Sequence, residues 1–166
     1  AIEAFRQDGM NVDFMAKDAD EPTGTALIYV DENGDNLLAV ASGANLKLMP
    51  VEIEKVKSII ESADILLMQL EVPVESDIAA AKIAKAAGVK VILNPAPAQQ
   101  LPSELLENLN MITPNETETE LLTGQKVTNI EEAKKGAEKL LDKGIDTVLI
   151  TLGAKGVLLK TRDTTE

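Results

Sequence analysis

The chain has 166 residues, 28 acidic and 16 basic, for a net charge of −12 at pH 7; that length suits one ordinary domain, and that charge repels phosphodiester backbones. With no Cys and no His, it has no disulfide framework, thiolate or imidazole metal site, cysteine nucleophile or Ser-His-Asp triad, which leaves carboxylate, amide, hydroxyl and backbone chemistry. At 45% hydrophobic and 27% charged residues it can bury a core, and its apolar runs, such as Ile65 to Met68, fall far short of the roughly 20 residues of a membrane span. A cytoplasmic protein is expected, with neither nucleic acid nor membrane as a partner.

The opening Ala1-Ile2-Glu3-Ala4-Phe5-Arg6 is apolar at helical spacing with no Met and no capping residue before it. Residues 161–166 follow directly on an apolar strand. Both ends therefore read as cuts, and 1–166 is expected to be the central piece of one larger domain. Next come apolar runs at 25–30 and 36–41 around Asp31-Glu32-Asn33-Gly34-Asp35, whose Asn-Gly suits a tight turn. This predicts a hairpin over 24–42 with apolar residues on both faces, so another surface should cover one of them, as in a lid or a subunit contact.

From Pro50 the period becomes helical, with Val51, Val56, Ile59 and Ile60 on one side of a helix ending near Ala63. A buried strand is expected over 64–70, an Ala-rich helix over 74–87 stopped by Gly88, and a strand over 89–93 broken by Asn94-Pro95-Ala96-Pro97. A short helix over 102–108, a strand at Met111-Ile112 and a helix over 114–122 follow. A helix over 128–143 turns Ile130, Ala133, Ala137, Leu140 and Leu141 inward, and strands over 146–152 and 156–160 close the chain. The fold class is α/β: a mostly parallel sheet sandwiched by helices through right-handed crossovers, with a small β hairpin.

Ligands of such sheets bind beyond the carboxyl ends of the strands, and four segments stand there. Glu71, after an apolar strand, can accept hydrogen bonds from sugar hydroxyls or be a solvated loop acid. Asn94 is held by two prolines, or the segment is only a rigid turn. In Thr113-Pro114-Asn115-Glu116-Thr117-Glu118, Thr113 and Glu116 suit a capping box with Pro114 first in the helix. Alternatively, Asn115 and Glu118, three apart on one helical face, present an amide and a carboxylate to a hydrated metal–phosphate group. Thr151-Leu152-Gly153-Ala154-Lys155-Gly156 is a turn between strands, or a turn whose glycines let a nucleotide approach the backbone; it is not a Walker A loop.

Together, Leu67-Met68-Gln69-Leu70-Glu71, Leu93-Asn94-Pro95-Ala96-Pro97-Ala98, Ile112-Thr113-Pro114-Asn115-Glu116-Thr117-Glu118 and Val148-Leu149-Ile150-Thr151-Leu152-Gly153-Ala154-Lys155-Gly156 resemble the PfkB, or ribokinase-like, family of sugar kinases, in order and across essentially the whole chain. The resemblance implies a three-layer, Rossmann-like fold and ATP-dependent phosphorylation of the 5-hydroxyl of D-ribose. It further implies Mg2+ on the nucleotide and activation by a monovalent cation such as K+ bound outside this chain. By position, Glu71 matches the carboxylate that binds sugar hydroxyls, and Ala26 and Ile28 match lid residues over the sugar. Asn115 and the turn of Thr151, Leu152, Gly153, Ala154, Lys155 and Gly156 match nucleotide-binding residues, and Glu118 matches the acid that meets Mg2+ through water.

The hairpin matches the family's lid, which pairs with its counterpart in a homodimer. The family's Gly-Gly-Lys-Gly-Ala-Asn sugar-binding run and its Gly-Ala-Gly-Asp motif, which supplies the anion hole and the proton-accepting aspartate, do not occur in these residues. The resemblance therefore assigns no catalytic residue here, and the 166 residues alone are expected to be inactive. A kinase for another sugar or a nucleoside, and a non-catalytic nucleotide-binding or dimerisation module, remain alternatives.

Overall fold

The computed structural model describes residues 2–32, 34 and 36–166. Helix α1 (Ile2–Gln7) precedes a two-stranded antiparallel hairpin of β1 (Thr25–Val30) and β2 (Asn36–Ala41). The hairpin forms as its two apolar runs around a tight turn predict, with Gly34 N–H donating to Asp31 O at 3.1 Å; Ala1 and the turn residues Asn33 and Asp35 lie outside the described residues. A 3₁₀ turn (Gly43–Lys47) leads into α2 (Pro50–Lys55) and α3 (Lys57–Glu61). The remainder alternates: β3 (Ile65–Met68), α4 (Val74–Ala86), β4 (Lys90–Leu93), α5 (Ser103–Leu106), β5 (Met111–Ile112), α6 (Glu116–Thr123), α7 (Ile130–Leu141), β6 (Thr147–Thr151) and β7 (Val157–Lys160).

Strands β3, β4, β5 and β6 are parallel neighbours in chain order, and β7 returns antiparallel beside β6. In register, Leu66 sits beside Val91, Met68 beside Leu93, Leu93 beside Ile112 and Ile112 beside Val148. Side chains alternate along each strand, so this row makes one face of the sheet, and it is the buried one, apart from partly buried Leu66. Helices pack on this buried face. There α4 brings Ala80, Ala81 and Ala84, whose small side chains let it lie close on the sheet, and α7 brings Ala133, Ala137, Leu140 and Leu141. The sheet is thus mostly parallel and flanked by helices, as the alternating pattern requires.

Three expectations about the inward residues are corrected. The helix expected from Pro50 breaks at Val56, whose backbone (φ −108°, ψ 14°) leaves the helical range; Ile53 is then buried while Val51 and Ile59 are exposed. Ile130 is the first residue after the Asn129 cap and stays exposed, because α7 meets the core only from Ala133 on. Strand β3 ends the sheet, so Ile65 and Leu67, on the face opposite Leu66 and Met68, are exposed rather than buried.

Candidate active site

Parallel order places the carboxyl ends of β3 to β6 on one rim, and the backbone joins the following loops in sequence. Asn94 N–H donates to Met68 O and Leu70 N–H to Ala96 O, Thr113 N–H to Leu93 O and Thr151 N–H to Pro114 O, each at 2.9 Å. Pro95 and Pro114 are fully buried between them, which fixes the loops without using donors that prolines lack. All four segments singled out in the sequence therefore stand side by side.

At one end of this rim lies the start of α6. The capping box expected at Thr113 and Glu116 forms instead between Asn115 and Glu118, the pair read from the sequence only as a candidate ligand pair. Asn115 Oδ1 accepts from Glu118 N–H and Glu118 Oε2 from Asn115 N–H, both at 2.8 Å, while Asn115 Nδ2 donates to Glu118 Oε1 at 3.0 Å. Thr113 is not the cap and Pro114 not the first helical residue, because Thr113 N–H extends the ladder to Leu93 and so belongs to the strand side. The Glu118 side chain is buried, but each carboxylate oxygen has a second lone pair beyond the one Asn115 uses.

The 151–156 turn lies against this helix start, with Asn115 and Thr151 forming a parallel bridge. Gly153 (φ +56°) and Gly156 (φ +96°) adopt backbone that other residues avoid, and a Cβ at either would meet nothing within 4 Å, so the backbone there is open to a ligand. Leu152 is buried beneath the turn. Lys155 Nζ donates to Thr128 O at 3.2 Å and lies 3.6 Å from Glu116. The neighbouring cap of α7 is firm too: the hydroxyl and N–H of Thr128 both donate to Glu132 and hold its carboxyl below the usual range.

Glu71 stands at the other end, after β3, exposed, with Gln69 Oε1 accepting from its N–H and Asn45 Nδ2 donating to its Oε2 at 3.4 Å. Three strand spacings of about 4.8 Å separate β3 from β6, so the two ends of the rim are about 14 Å apart. Ala26 and Ile28 share one face of the hairpin with their cross-strand partners Val40 and Leu38, and that face is exposed. The structure thus brings Asn115, Glu118 and the 151–156 turn together and sets Glu71 apart. Asn45, which lies in no recognisable motif, was not singled out by the sequence. Among the described residues no group of three or more carboxylates forms a ready metal cage, and no helix is long and apolar enough to cross a membrane.

The rim of the parallel sheet thus carries an acid at one end and a capped helix start and glycine turn toward the other. The family described as pfkB family carbohydrate kinase matches residues 1–166, and the chain belongs to it. The chain is 48% identical over 156 residues to ribokinase of Haemophilus influenzae, covering 94% of this chain and 51% of that protein. It is 44% identical over 162 residues to ribokinase of Staphylococcus aureus, covering 98% of this chain and 53% of that one. The solved structure of Arabidopsis thaliana ribokinase complexed with ribose and ATP superposes with a TM-score of 0.78 at 36% identity, covering 87% of this chain and 47% of that one. The chain spans about half the length of the curated relatives it matches.

Proposed function

We propose that the protein carrying this chain transfers the γ-phosphoryl group of ATP to the 5-hydroxyl of D-ribose, giving ribose 5-phosphate. The observation that carries this reading is the two-ended rim: an exposed carboxylate at Glu71 after β3, and two to three strand spacings away, about 10–14 Å, a helix start after β5 and an open glycine turn after β6, suited to phosphates. The similarity to ribokinases, one of them solved with ribose and ATP, supports the assignment of the two ends.

In this reading Glu71 accepts hydrogen bonds from sugar hydroxyls, while Ala26 and Ile28 cover the sugar from the hairpin. The backbone of Thr151, Leu152, Gly153, Ala154, Lys155 and Gly156 and the Asn115 amide hold the nucleotide. Mg2+ on the nucleotide would neutralise phosphate charge. Glu118, whose carboxylate keeps spare lone pairs and which belongs to no cluster of three or more acids among the described residues, would hold that ion through water. The proton-accepting aspartate and the anion hole match no motif of residues 1–166, which on their own are expected to turn over no sugar. The hairpin's opposite face, with Leu27, Tyr29 and Leu37, pairs with a second copy in a homodimer. The protein works in the cytoplasm, activated by a monovalent cation such as K+.

Rates of ADP formation on ribose, fructose and adenosine test the proposal. Ribose is expected to be the fastest acceptor, with ribose 5-phosphate as product. A preference for adenosine or fructose overturns the choice of substrate, and ADP formation from none of the three favours a non-catalytic module.

A further inference from the structure

The reading of Glu71 as the sugar's carboxylate leaves open what aims an exposed acid on a loop. Two side chains touch it: Gln69 from the same loop, and Asn45 from the 3₁₀ turn that follows the hairpin. The same Asn45 amide also reaches the other strand of the hairpin, since its Oδ1 accepts from Gly24 N–H at 3.4 Å, one residue before β1. The amide can serve both neighbours in only one orientation, because a backbone N–H needs an acceptor and a carboxylate needs a donor.

The base of the hairpin is built around this side chain. A Cβ at Gly24 would lie 2.6 Å from Asn45 Nδ2 and 3.0 Å from Ser42 O, so a larger residue there would push the amide away. A Cβ at Gly43 (φ +50°) would lie 2.2 Å from Pro22 O, where the incoming and outgoing chains cross and Ala44 N–H donates to Pro22 O at 2.8 Å. Asn45 N–H donates to Ser42 O and its carbonyl accepts from Leu48 N–H, which fixes the backbone from which the side chain projects.

We propose that Asn45 is a positioning residue for the sugar site: one carboxamide ties the Glu71 carboxylate to the hairpin base, so the aim of Glu71 and the stance of the hairpin are set together. This rests on the sugar-kinase reading above. Both contacts are long for hydrogen bonds, at 3.4 Å. The chemistry is specific to a carboxamide. Alanine gives up both contacts, whereas aspartate keeps an acceptor for Gly24 N–H but turns a second negative charge on Glu71.

The test is the steady-state kinetics of Asn45→Ala and Asn45→Asp in the protein that carries this chain, with melting temperatures measured alongside. Asn45→Ala is expected to raise the ribose KM roughly tenfold, with kcat within about threefold and the ATP KM unchanged. Asn45→Asp is expected to raise it further still, despite keeping the hairpin contact, because it sets a second negative charge beside Glu71. An unchanged ribose KM in both variants overturns the proposal. So does a milder effect of Asp than of Ala that follows the loss of melting temperature, since that is the pattern of a purely structural amide. A wild-type protein that phosphorylates no sugar overturns the kinase reading and this inference together. A wild type active on ribose whose variants keep its KM overturns this inference alone.

Discussion

Asn115 and Glu118 satisfy each other at the start of α6, each side chain accepting from the other's backbone N–H at 2.8 Å. Cap and candidate ligand are therefore one pair, and substitutions separate the two roles. Asn115→Ala removes the cap and is expected to cost about 1 kcal/mol of stability. Glu118→Gln keeps the side-chain length and an acceptor for Asn115 N–H. Its amide nitrogen then meets Asn115 Nδ2, donor against donor, so it is expected to cost about 1–2 kcal/mol of stability while lowering kcat at saturating ATP and Mg2+ by tenfold or more. Urea unfolding and steady-state kinetics on both variants check this, and a Glu118→Gln protein of full activity removes Glu118 from the site.

Asp77, on α4, is a buried carboxyl whose Oδ2 has no hydrogen-bond partner among the described residues, and burial raises its pKa to about 7. It faces a cavity of about 250 Å³ lined by Leu48, Ile53, Ile60, Leu66 and Met68. A carboxyl with a raised folded-state pKa costs nothing below its unfolded value near 4, where both states are protonated. Its cost grows as pH rises toward 7 and is then constant. Asp77→Val is accordingly expected to melt above the wild type at pH 8, by the equivalent of about 1–3 kcal/mol, with the gain fading toward pH 4. Melting curves of both proteins from pH 4 to 8 check the slope of the difference.

Leu27, Tyr29 and Leu37 lie on one hairpin face and Ile28, Leu38 and Val40 on the other, and all six are more than half exposed. Such a ribbon needs a cover. If a second copy supplies it through the first of these faces, Leu37→Asp shifts the protein from dimer to monomer with little change in far-ultraviolet circular dichroism. Sedimentation velocity reads the change.

Gly136 of α7 faces Thr119 of α6, and a Cβ there would lie 2.6 Å from Thr119 Cγ2. Thr119 is fully buried and its hydroxyl donates to Asn115 O at 2.7 Å, so pressure on Thr119 passes to the helix start at the nucleotide end. Gly136→Ala is expected to destabilise by about 1–3 kcal/mol despite the better helix propensity of alanine. It is also expected to raise the ATP KM more than the sugar KM. Unfolding and kinetics together check both effects.

Much of this was legible in the sequence because its signals were local. Alternation of strand and helix gave the sheet, the turn after β6 and the Asn115–Glu118 spacing were visible as motifs, and Ala133, Ala137, Leu140 and Leu141 marked the face of α7. What escaped depended on partners distant in the chain. Whether Thr113 or Asn115 caps α6 turns on the bond from Thr113 N–H to Leu93, and the exposure of Leu67 follows from β3 being the end strand. Asn45 meets Gly24 and Glu71 across 21 and 26 residues, and no spacing rule connects them.

The most direct test of the sugar-kinase reading compares the wild type with Glu71→Gln in the protein that carries this chain, following ADP formation against ribose concentration. The reading predicts ribose-dependent ADP formation with ribose 5-phosphate as product. It also predicts a ribose KM raised about tenfold or more in the variant, at an unchanged ATP KM. ADP formation that ignores ribose, or a Glu71→Gln protein with the wild-type ribose KM, would contradict it.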